Sequence, residues 1–193
     1  MRVFIAVIVL FFSLQSWTKA DDISDLQIEG ISIGDSALDH FSKKKIIIAI
    51  ENATYYLASK KFAITKLNPD YMNEYDRLNI TINPNDKKFI IYSIRGVTYM
   101  PIQECLEKKK KILEDISEIT IGSKTNNYKS DYNKKYGNSY AMVNDYHLKG
   151  GLIRVWCETW DKENKNVSNN STDSLAITIS SKEFYNWLQT EAF

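Results

Sequence analysis

The chain has 193 residues, of which 25 are basic and 24 acidic, and it uses many lysines and isoleucines but only four arginines and three prolines. Because neither sign of charge dominates, no long-range field attracts nucleic acid or anionic lipid, which disfavours a nucleic-acid-binding function. A chain of this length is sufficient for one domain with a single core.

Residues 1–20 have the features of a cleaved secretory signal. Arg2 precedes an apolar run from Val3 to Leu14, and Thr18-Lys19-Ala20 places small residues where a signal peptidase reads. The apolar run is shorter than the about 20 residues that a helix needs to cross a membrane. We therefore predict cleavage after Ala20, no membrane span in the mature chain, and one exported domain at residues 21–193.

The predicted elements of the mature chain are short and differ in type. In chain order they are a short strand or extended segment at 28–34, a short helix at 37–41, a helix or buried strand at 43–52, a strand at 54–67, a hairpin at 77–99, a helix at 101–119, strands at 152–160 and 175–179, and a short helix at 181–189. Asp35 or Ser36 is a suitable N-cap for the first helix, and Ser181 for the last. The type of the 43–52 segment stays open, because its apolar run is too short to separate a helix capped by Ser42 from a buried strand.

Residues 77–119 are the part of the chain around which the rest is arranged. Residues 77–82 alternate apolar and polar, residues 83–86 have turn chemistry and residues 87–99 are rich in strand formers, which together indicate a hairpin. The helix that follows has apolar side chains at spacings of three and four: Ile102, Cys105, Leu106, Ile112, Leu113, Ile116 and Ile119. We predict an α+β single domain in which an antiparallel sheet packs against one main helix, at about 101–119, with short N- and C-terminal helices.

The basic run Lys108 to Lys111 in the main helix is typical of a solvated helix face. Glu104 and Glu107 stand four residues before Lys108 and Lys111, which is the favourable orientation for ion pairs within a helix. The run therefore indicates solvation of the helix rather than a contact with nucleic acid or membrane.

Residues 121–151 contain few apolar side chains and are rich in Gly, Ser, Asn, Lys and Tyr. We predict a long polar loop here, and a loop of this length in a compact domain is typical of either a functional or a disordered segment. A second polar turn region is predicted at 162–173.

The strand predicted at 152–160 has two distinct sides. Ile153, Val155 and Cys157 share one side, and Arg154, Trp156, Glu158 and Trp160 share the other. Since Cys105 lies on the apolar stripe of the main helix, both cysteines face the same core, and we predict a disulfide between Cys105 and Cys157. The alternative is a pair of buried free thiols.

The sequence Gly34-Asp-Ser-Ala-Leu38 is similar to the motif of the GDSL hydrolases, in which a serine after a strand is the nucleophile. The Asp-X-X-His of that family is missing, since Asn144 precedes His147 at the matching position and His40 lies only four residues after Ser36. A serine needs a base to attack at neutral pH, so we interpret Ser36 as a helix cap. The chain has two histidines and no Gly-rich phosphate loop, so we predict no catalytic, cofactor-binding or metal-binding residues. A pair of carboxylates with glycosidase activity stays an open alternative, because the distances between Asp and Glu side chains cannot be read from the sequence.

The polar side of the strand at 152–160 is the predicted partner-binding surface. Arg154, Trp156 and Trp160 are of residue types enriched at binding hot spots. The alternative is that the terminal helix at 181–189, with Trp187, covers this side and buries the tryptophans as ordinary core.

The chain resembles uncharacterised exported proteins of marine alphaproteobacteria of the Pelagibacter type. The resemblance lies in residues 28–41, Cys105 in a Lys-rich helix, the Trp156-Cys157 strand and residues 182–188. The resemblance implies a compartment and no activity. Residues 30–41 are also similar to the turn-helix opening of BamE/SmpA-type envelope proteins, although the lipobox cysteine of those proteins is absent.

These features predict an exported, disulfide-stapled domain that is periplasmic or secreted. Its expected function is that of a non-catalytic binding or interaction module of the cell envelope, with a protein or glycan partner and no cofactor. The alternative function is a small hydrolase acting on glycan or ester bonds, which would depend on Ser36 or His147.

Overall fold

The computed structural model describes residues 22–56, 59–169 and 171–193. The predicted signal at residues 1–20 lies outside these ranges. Each helix in the described part of the chain is too short or too polar to cross a membrane.

Within these ranges the chain forms ten strands and three α-helices. The strands are β1 Gln27–Ile28, β2 Ile31–Ser32, β3 Thr54–Tyr56, β4 Ser59–Lys66, β5 Arg77–Ile82, β6 Ile91–Tyr99, β7 Lys124–Asp131, β8 Tyr140–Leu148, β9 Gly151–Thr159 and β10 Ser174–Ser181. The helices are α1 Lys43–Glu51, α2 Ile102–Ile119 and α3 Lys182–Thr190, with 3-10 helices at Ile23–Asp25, Ala37–Asp39 and Lys134–Tyr136.

The eight strands from β3 to β10 form one antiparallel sheet in the order β3-β4-β5-β6-β10-β9-β8-β7. β1 and β2 form a separate two-stranded hairpin. The C-terminal strand β10 pairs with β6 on one side and β9 on the other, so it joins the two halves of the sheet. This confirms the predicted α+β class, with an antiparallel sheet packed against one main helix.

One face of the large sheet, which we call the core face, packs against α1 and α2. The buried core on this face is built mainly from apolar sheet side chains: Leu78, Ile80, Ile82, Ile91, Ile94, Ile153, Val155, Cys157, Leu175 and Ile179. α1 contributes Ile46, and α2 contributes Cys105 and Ile116. Because side chains alternate along a strand, the remaining side chains of these strands lie on the opposite side, which we call the second face.

The predicted disulfide is confirmed. Cys105 on α2 and Cys157 on β9 are bonded, with their Cα atoms 5.9 Å apart, and both side chains are fully buried. The bond therefore ties the main helix to the middle of the sheet from within the core.

The segment whose type was open from sequence is the helix α1. Its N-cap is Ser42, whose side chain accepts a hydrogen bond from the backbone N–H of Lys45. The strand predicted at 54–67 is two strands, β3 and β4, that pair as a hairpin. Ser181 caps α3 as predicted, accepting from the N–H of Phe184.

The prediction of a long polar loop at 121–151 is wrong, because this segment forms β7 and β8. The two strands pair along their whole length, from Lys124 opposite His147 to Asp131 opposite Tyr140. β7 is the outermost strand of the sheet and its side chains are almost all exposed, so it carries no apolar alternation. Main-chain hydrogen bonds to β8 hold it in place, and these bonds leave no mark on the pattern of side chains.

The prediction of a solvated lysine run is wrong for Lys109. It lies one helical turn after Cys105, on the stripe that faces the sheet, and only 6% of it is exposed. Its ammonium donates a hydrogen bond to the backbone carbonyl of Met142 on β8, and burial lowers the pKa of the ammonium to about 8. Lys108, Lys110 and Lys111 are exposed as predicted.

Candidate functional site

The second face of the sheet is covered by a helix over one half only. Phe184 and Trp187 of α3 pack against Phe62 of β4 and Tyr56 of β3, forming a small apolar cluster. α3 also contacts β6, β9 and β10. The other half of this face, around Tyr132, Trp156 and Glu158, lines a cavity to which no residue of α3 contributes, and we call it the open half.

Strand register places a row of polar side chains straight across the middle of the second face. Asn79 on β5 lies opposite Arg95 on β6, Arg95 opposite Thr178 on β10, Thr178 opposite Arg154 on β9, and Arg154 opposite Asp145 on β8. We call these five residues the polar row. At the usual strand spacing, the backbones of Arg95 and Arg154 are about 10 Å apart, so their long side chains can reach a common ligand.

All three arginines of the described residues lie on this face. Arg77 lies two residues before Asn79 on β5 and is a diagonal neighbour of Arg95. The other basic residues of this chain are lysines, apart from a fourth arginine, Arg2, in the predicted signal. Arginine differs from lysine in its planar fork of donors, which matches carboxylate and phosphate groups.

Arg154 already has a partner within the protein. Its Nε donates to Oδ1 of Asp145 at 2.7 Å and its Nη2 donates to Oδ2 at 2.8 Å. These hydrogen bonds raise the pKa of Arg154 against the opposing effect of burial. The hydroxyl of Tyr128 donates to the same carboxylate at 3.4 Å. The charge of Arg154 is therefore compensated.

Arg95 has no such partner. Its Nε donates to the hydroxyl of Thr178 at 3.3 Å, and its guanidinium carbon lies 4.9 Å from the centre of the Trp156 ring. No carboxylate of the described residues forms an ion pair with it. Burial lowers the pKa of Arg95, with Tyr56 and Glu158 acting in the opposite direction. Arg95 is thus a partly buried cation without a counter-anion in direct contact.

Glu158 lies two residues after Trp156 on the same side of β9, and two hydroxyl groups hold its carboxylate. It accepts from Tyr132 and from Ser174, each at 2.8 Å. The Tyr132 ring in turn stacks on Trp160 with the centroids 4.9 Å apart. Burial and the neighbouring Glu158 both raise the pKa of Tyr132. Glu158 is consequently engaged and is not available as a counter-ion in contact with Arg95.

Two cavities lie on either side of the polar row, and Arg95 and Arg154 line both. The inner cavity, beneath α3, encloses about 50 Å³ and is also lined by Asn79, Tyr56 and Tyr185. The outer cavity, on the open half, has a volume of about 240 Å³. Its further lining includes Tyr128, Tyr132, Trp156 and Glu158.

Two polar atoms of this face are buried and have no hydrogen-bond partner. They are Oδ1 of Asn79 and Nε of Arg77. Unpaired buried polar atoms are uncommon in folded proteins, and each calls for an explanation such as a ligand. Asn79 lines the inner cavity, although its Oδ1 is itself covered by neighbouring atoms.

The residues predicted for partner binding lie in or beside this region. Arg154 and Trp156 project from β9 onto the second face, and Trp160 follows the end of β9, where it stacks on Tyr132. All three are half-buried. α3 packs on the same face but covers its other half, so it does not bury Trp156 or Trp160 as core.

The residues of the hydrolase motif are not assembled into a catalytic group. The Ser36 hydroxyl donates to the carbonyl of Lys88 at 2.7 Å and accepts from the N–H of Leu38, as a cap does. His40 lies 3.1 Å from the carboxylate of Asp35, and His147 on β8 lies 3.1 Å from the side-chain amide of Asn126. Within the described residues, no group of three or more His, Cys, Asp or Glu side chains is placed to hold a metal ion.

No protein-family model matches the chain, and comparisons with curated proteins and with solved structures find no significant match. The site is therefore defined by its geometry. The geometry adds Arg95, Arg77 and Asn79 to the predicted Arg154 and Trp156, and these additions were missed because they lie on strands that are distant along the chain. One sequence signal could have indicated the two arginines, namely that Arg77, Arg95 and Arg154 all lie on predicted strands.

Proposed function

We propose that the protein is an exported binding module of the cell envelope, and that its ligand binds on the second face at the polar row. The observation that carries this proposal is that Arg95, a partly buried cation without a direct counter-anion, lines two cavities beside Trp156. Export is supported by the signal pattern and by the disulfide, which is typical of oxidising compartments.

The composition of the second face supports binding over packing. The core face shows what this chain places where only packing is needed, namely Ile, Leu and Val. Charged groups in the middle of a sheet oppose folding unless they are paired or bind something, and they cluster at functional sites. Tyr and Trp beside arginine are the residue types that dominate binding energy.

The shape of the face favours a small ligand or the end of a glycan over a folded partner. Ligand sites are concave, with a few convergent polar groups among aromatic side chains, whereas protein interfaces are flatter and larger. The inner cavity beside Arg95 and Arg154 has the concave form, and the outer cavity is a shallower hollow that continues from it on the open half. No observation on the described residues favours the hydrolase alternative, since Ser36 is engaged as a cap and His147 lies on a different element.

Tryptophan indole signals provide the test. In nuclear magnetic resonance spectra, the indole signals of Trp156 and Trp160 report on the second face. Trp187 of α3 is only 2% exposed, packed in the apolar cluster, and its signal serves as the internal control. Titration with glycan, peptide and lipid fractions of an envelope extract should shift the Trp156 signal in a saturable way and leave Trp187 unchanged. The Trp156→Phe variant, which keeps an aromatic ring, identifies the signal.

The proposal is contradicted if no fraction shifts Trp156 while binding is detected elsewhere, for example at the exposed strand β7. It is also contradicted if Trp187 and Trp156 shift together, because a joint shift reports a change of the whole fold rather than binding at one site.

A further inference from the structure

Resting on the proposed function, we infer that the group bound at Arg95 is an oxyanion, a carboxylate or phosphate, whose carrier extends from the inner cavity into the outer one.

The contacts of Arg95 leave its anion-binding edge free. The Trp156 ring lies against the guanidinium, and Thr178 occupies Nε. A guanidinium donates in its own plane, and its two terminal nitrogens are the donors that bind a carboxylate or phosphate side by side. A cation–π contact with an aromatic ring uses none of these donors.

The local balance of charge favours an anion. Three arginines lie near one another on this face with two carboxylates, of which Asp145 pairs with Arg154. Glu158 acts on Arg95 electrostatically but does not contact it, since Tyr132 and Ser174 occupy its oxygens. Burial of an uncompensated cation is costly, and an oxyanion bound against Arg95 removes that cost. A neutral ligand does not.

The sizes of the two cavities set the orientation. The inner cavity, at about 50 Å³, has room for a few water-sized groups, which suits a single carboxylate or phosphate and excludes a sugar ring. The outer cavity, at about 240 Å³, accommodates a ring beside Trp156 and Tyr132. Arg95 lines both cavities. A ligand with its acidic group in the inner cavity and its ring in the outer cavity therefore places its negative charge against Arg95.

Asn79 adds a second polar group to the inner cavity. Its side chain lines the cavity, and its Oδ1 is buried without a hydrogen-bond partner. An acid that also carries a hydroxyl group therefore offers an anion for Arg95 and a polar group for the Asn79 side chain. A uronic acid or a sugar phosphate has this combination of groups.

The test is isothermal titration calorimetry of the exported protein at constant ionic strength, with D-glucuronate, glucose and inorganic phosphate as probes. Glucuronate and glucose share one ring and differ in the carboxylate, so the pair isolates the charge. We expect saturable binding of glucuronate, phosphate or both, and none of glucose. Binding of phosphate alone identifies a phosphate group, and binding of glucuronate alone identifies a carboxylate.

Three variants locate the binding. Arg95→Met should weaken anion binding at least about tenfold, as expected for a charged hydrogen-bond pair. Arg95→Lys should fall between this variant and the wild type, because the charge is kept and the fork is lost. Lys44→Gln, an exposed charge change on α1 at the opposite face, should leave the affinity unchanged. An unchanged Trp187 indole signal confirms that each variant is folded.

The inference is overturned if neither anion binds, or if Arg95→Met binds anions as well as the wild type. Equal binding of glucose and glucuronate at Trp156 would overturn the oxyanion and leave the proposed function standing. Failure of the proposed function has a different signature, namely that no envelope fraction shifts Trp156.

Discussion

Lys109 makes the stability of this protein depend on pH between about 8 and 10.5. The side chain is buried between α2 and β8, and burial lowers the pKa of its ammonium to about 8 from 10.5. Between these two values the folded protein holds a neutral lysine while the unfolded chain holds a charged one. The unfolded state then binds more protons, so the free energy of unfolding rises with pH from about 8 to 10.5.

The size of the effect follows from the shift. Each pKa unit corresponds to about 1.4 kcal/mol, so the full shift sets an upper limit of about 3 kcal/mol. The ammonium borders a hollow that it shares with Asn127 and Asn144, which allows water to retain part of its hydration. We therefore expect Lys109 to contribute a rise of about 1–3 kcal/mol.

The assay is urea unfolding of the wild type and Lys109→Met at about pH 7 and at about pH 10. Tyrosines titrate equally in both proteins, so the difference between them isolates Lys109. We expect the wild type to gain stability relative to the variant as pH rises. Lys110→Met, at the exposed neighbouring position, should show no such gain. A difference between wild type and Lys109→Met that is constant with pH would refute the reasoning.

Three further predictions concern the stability of the fold. Replacing Cys105 and Cys157 together by alanine should lower the free energy of unfolding by about 4 kcal/mol, because the bond closes a loop with a sequence separation of 52; intact mass of the purified protein with and without reduction checks the bond. Ser36→Ala should cost about 0.5–2 kcal/mol in urea unfolding, as the loss of a cap does, with no change in any ester turnover. Trp187→Ala should cost about 3–5 kcal/mol because the ring is fully buried, whereas Trp160→Ala, whose ring is partly exposed, should cost clearly less.

Elements with a regular apolar period could be predicted from the sequence. The hairpin β5 and β6, the helix α2 and the strands β9 and β10 each bury one side, so their side chains alternate or repeat in a readable way. The disulfide could be predicted as well, because Cys105 lies on the apolar side of the predicted helix and Cys157 on the apolar side of the predicted strand. β7 has no buried side, and its pairing with β8 depends on main-chain hydrogen bonds, so nothing in its side chains distinguishes it from a loop.

The candidate site could be predicted only where it lies on one strand. Alternation along β9 places Arg154 and Trp156 on the same side. Arg95 joins them because β10 inserts between β6 and β9, and strand order does not follow from local periodicity. Lys109 was missed for a related reason, since its long stem packs as an apolar side chain while its charged end reaches the Met142 carbonyl.

The claim that the polar row is a binding site is tested most directly by comparing the free energy of unfolding of ligand-free Arg95→Met and Arg154→Met. Arg95 is held by one hydroxyl and one aromatic ring, and these contacts are offset by the cost of its burial, so we expect a change within about 1 kcal/mol. Arg154→Met removes the ion pair of Asp145, which is only 4% exposed and keeps just the hydrogen bond from Tyr128, and should cost about 3–5 kcal/mol. An equally large loss for Arg95→Met would mean that this arginine serves the fold, and it would contradict the account.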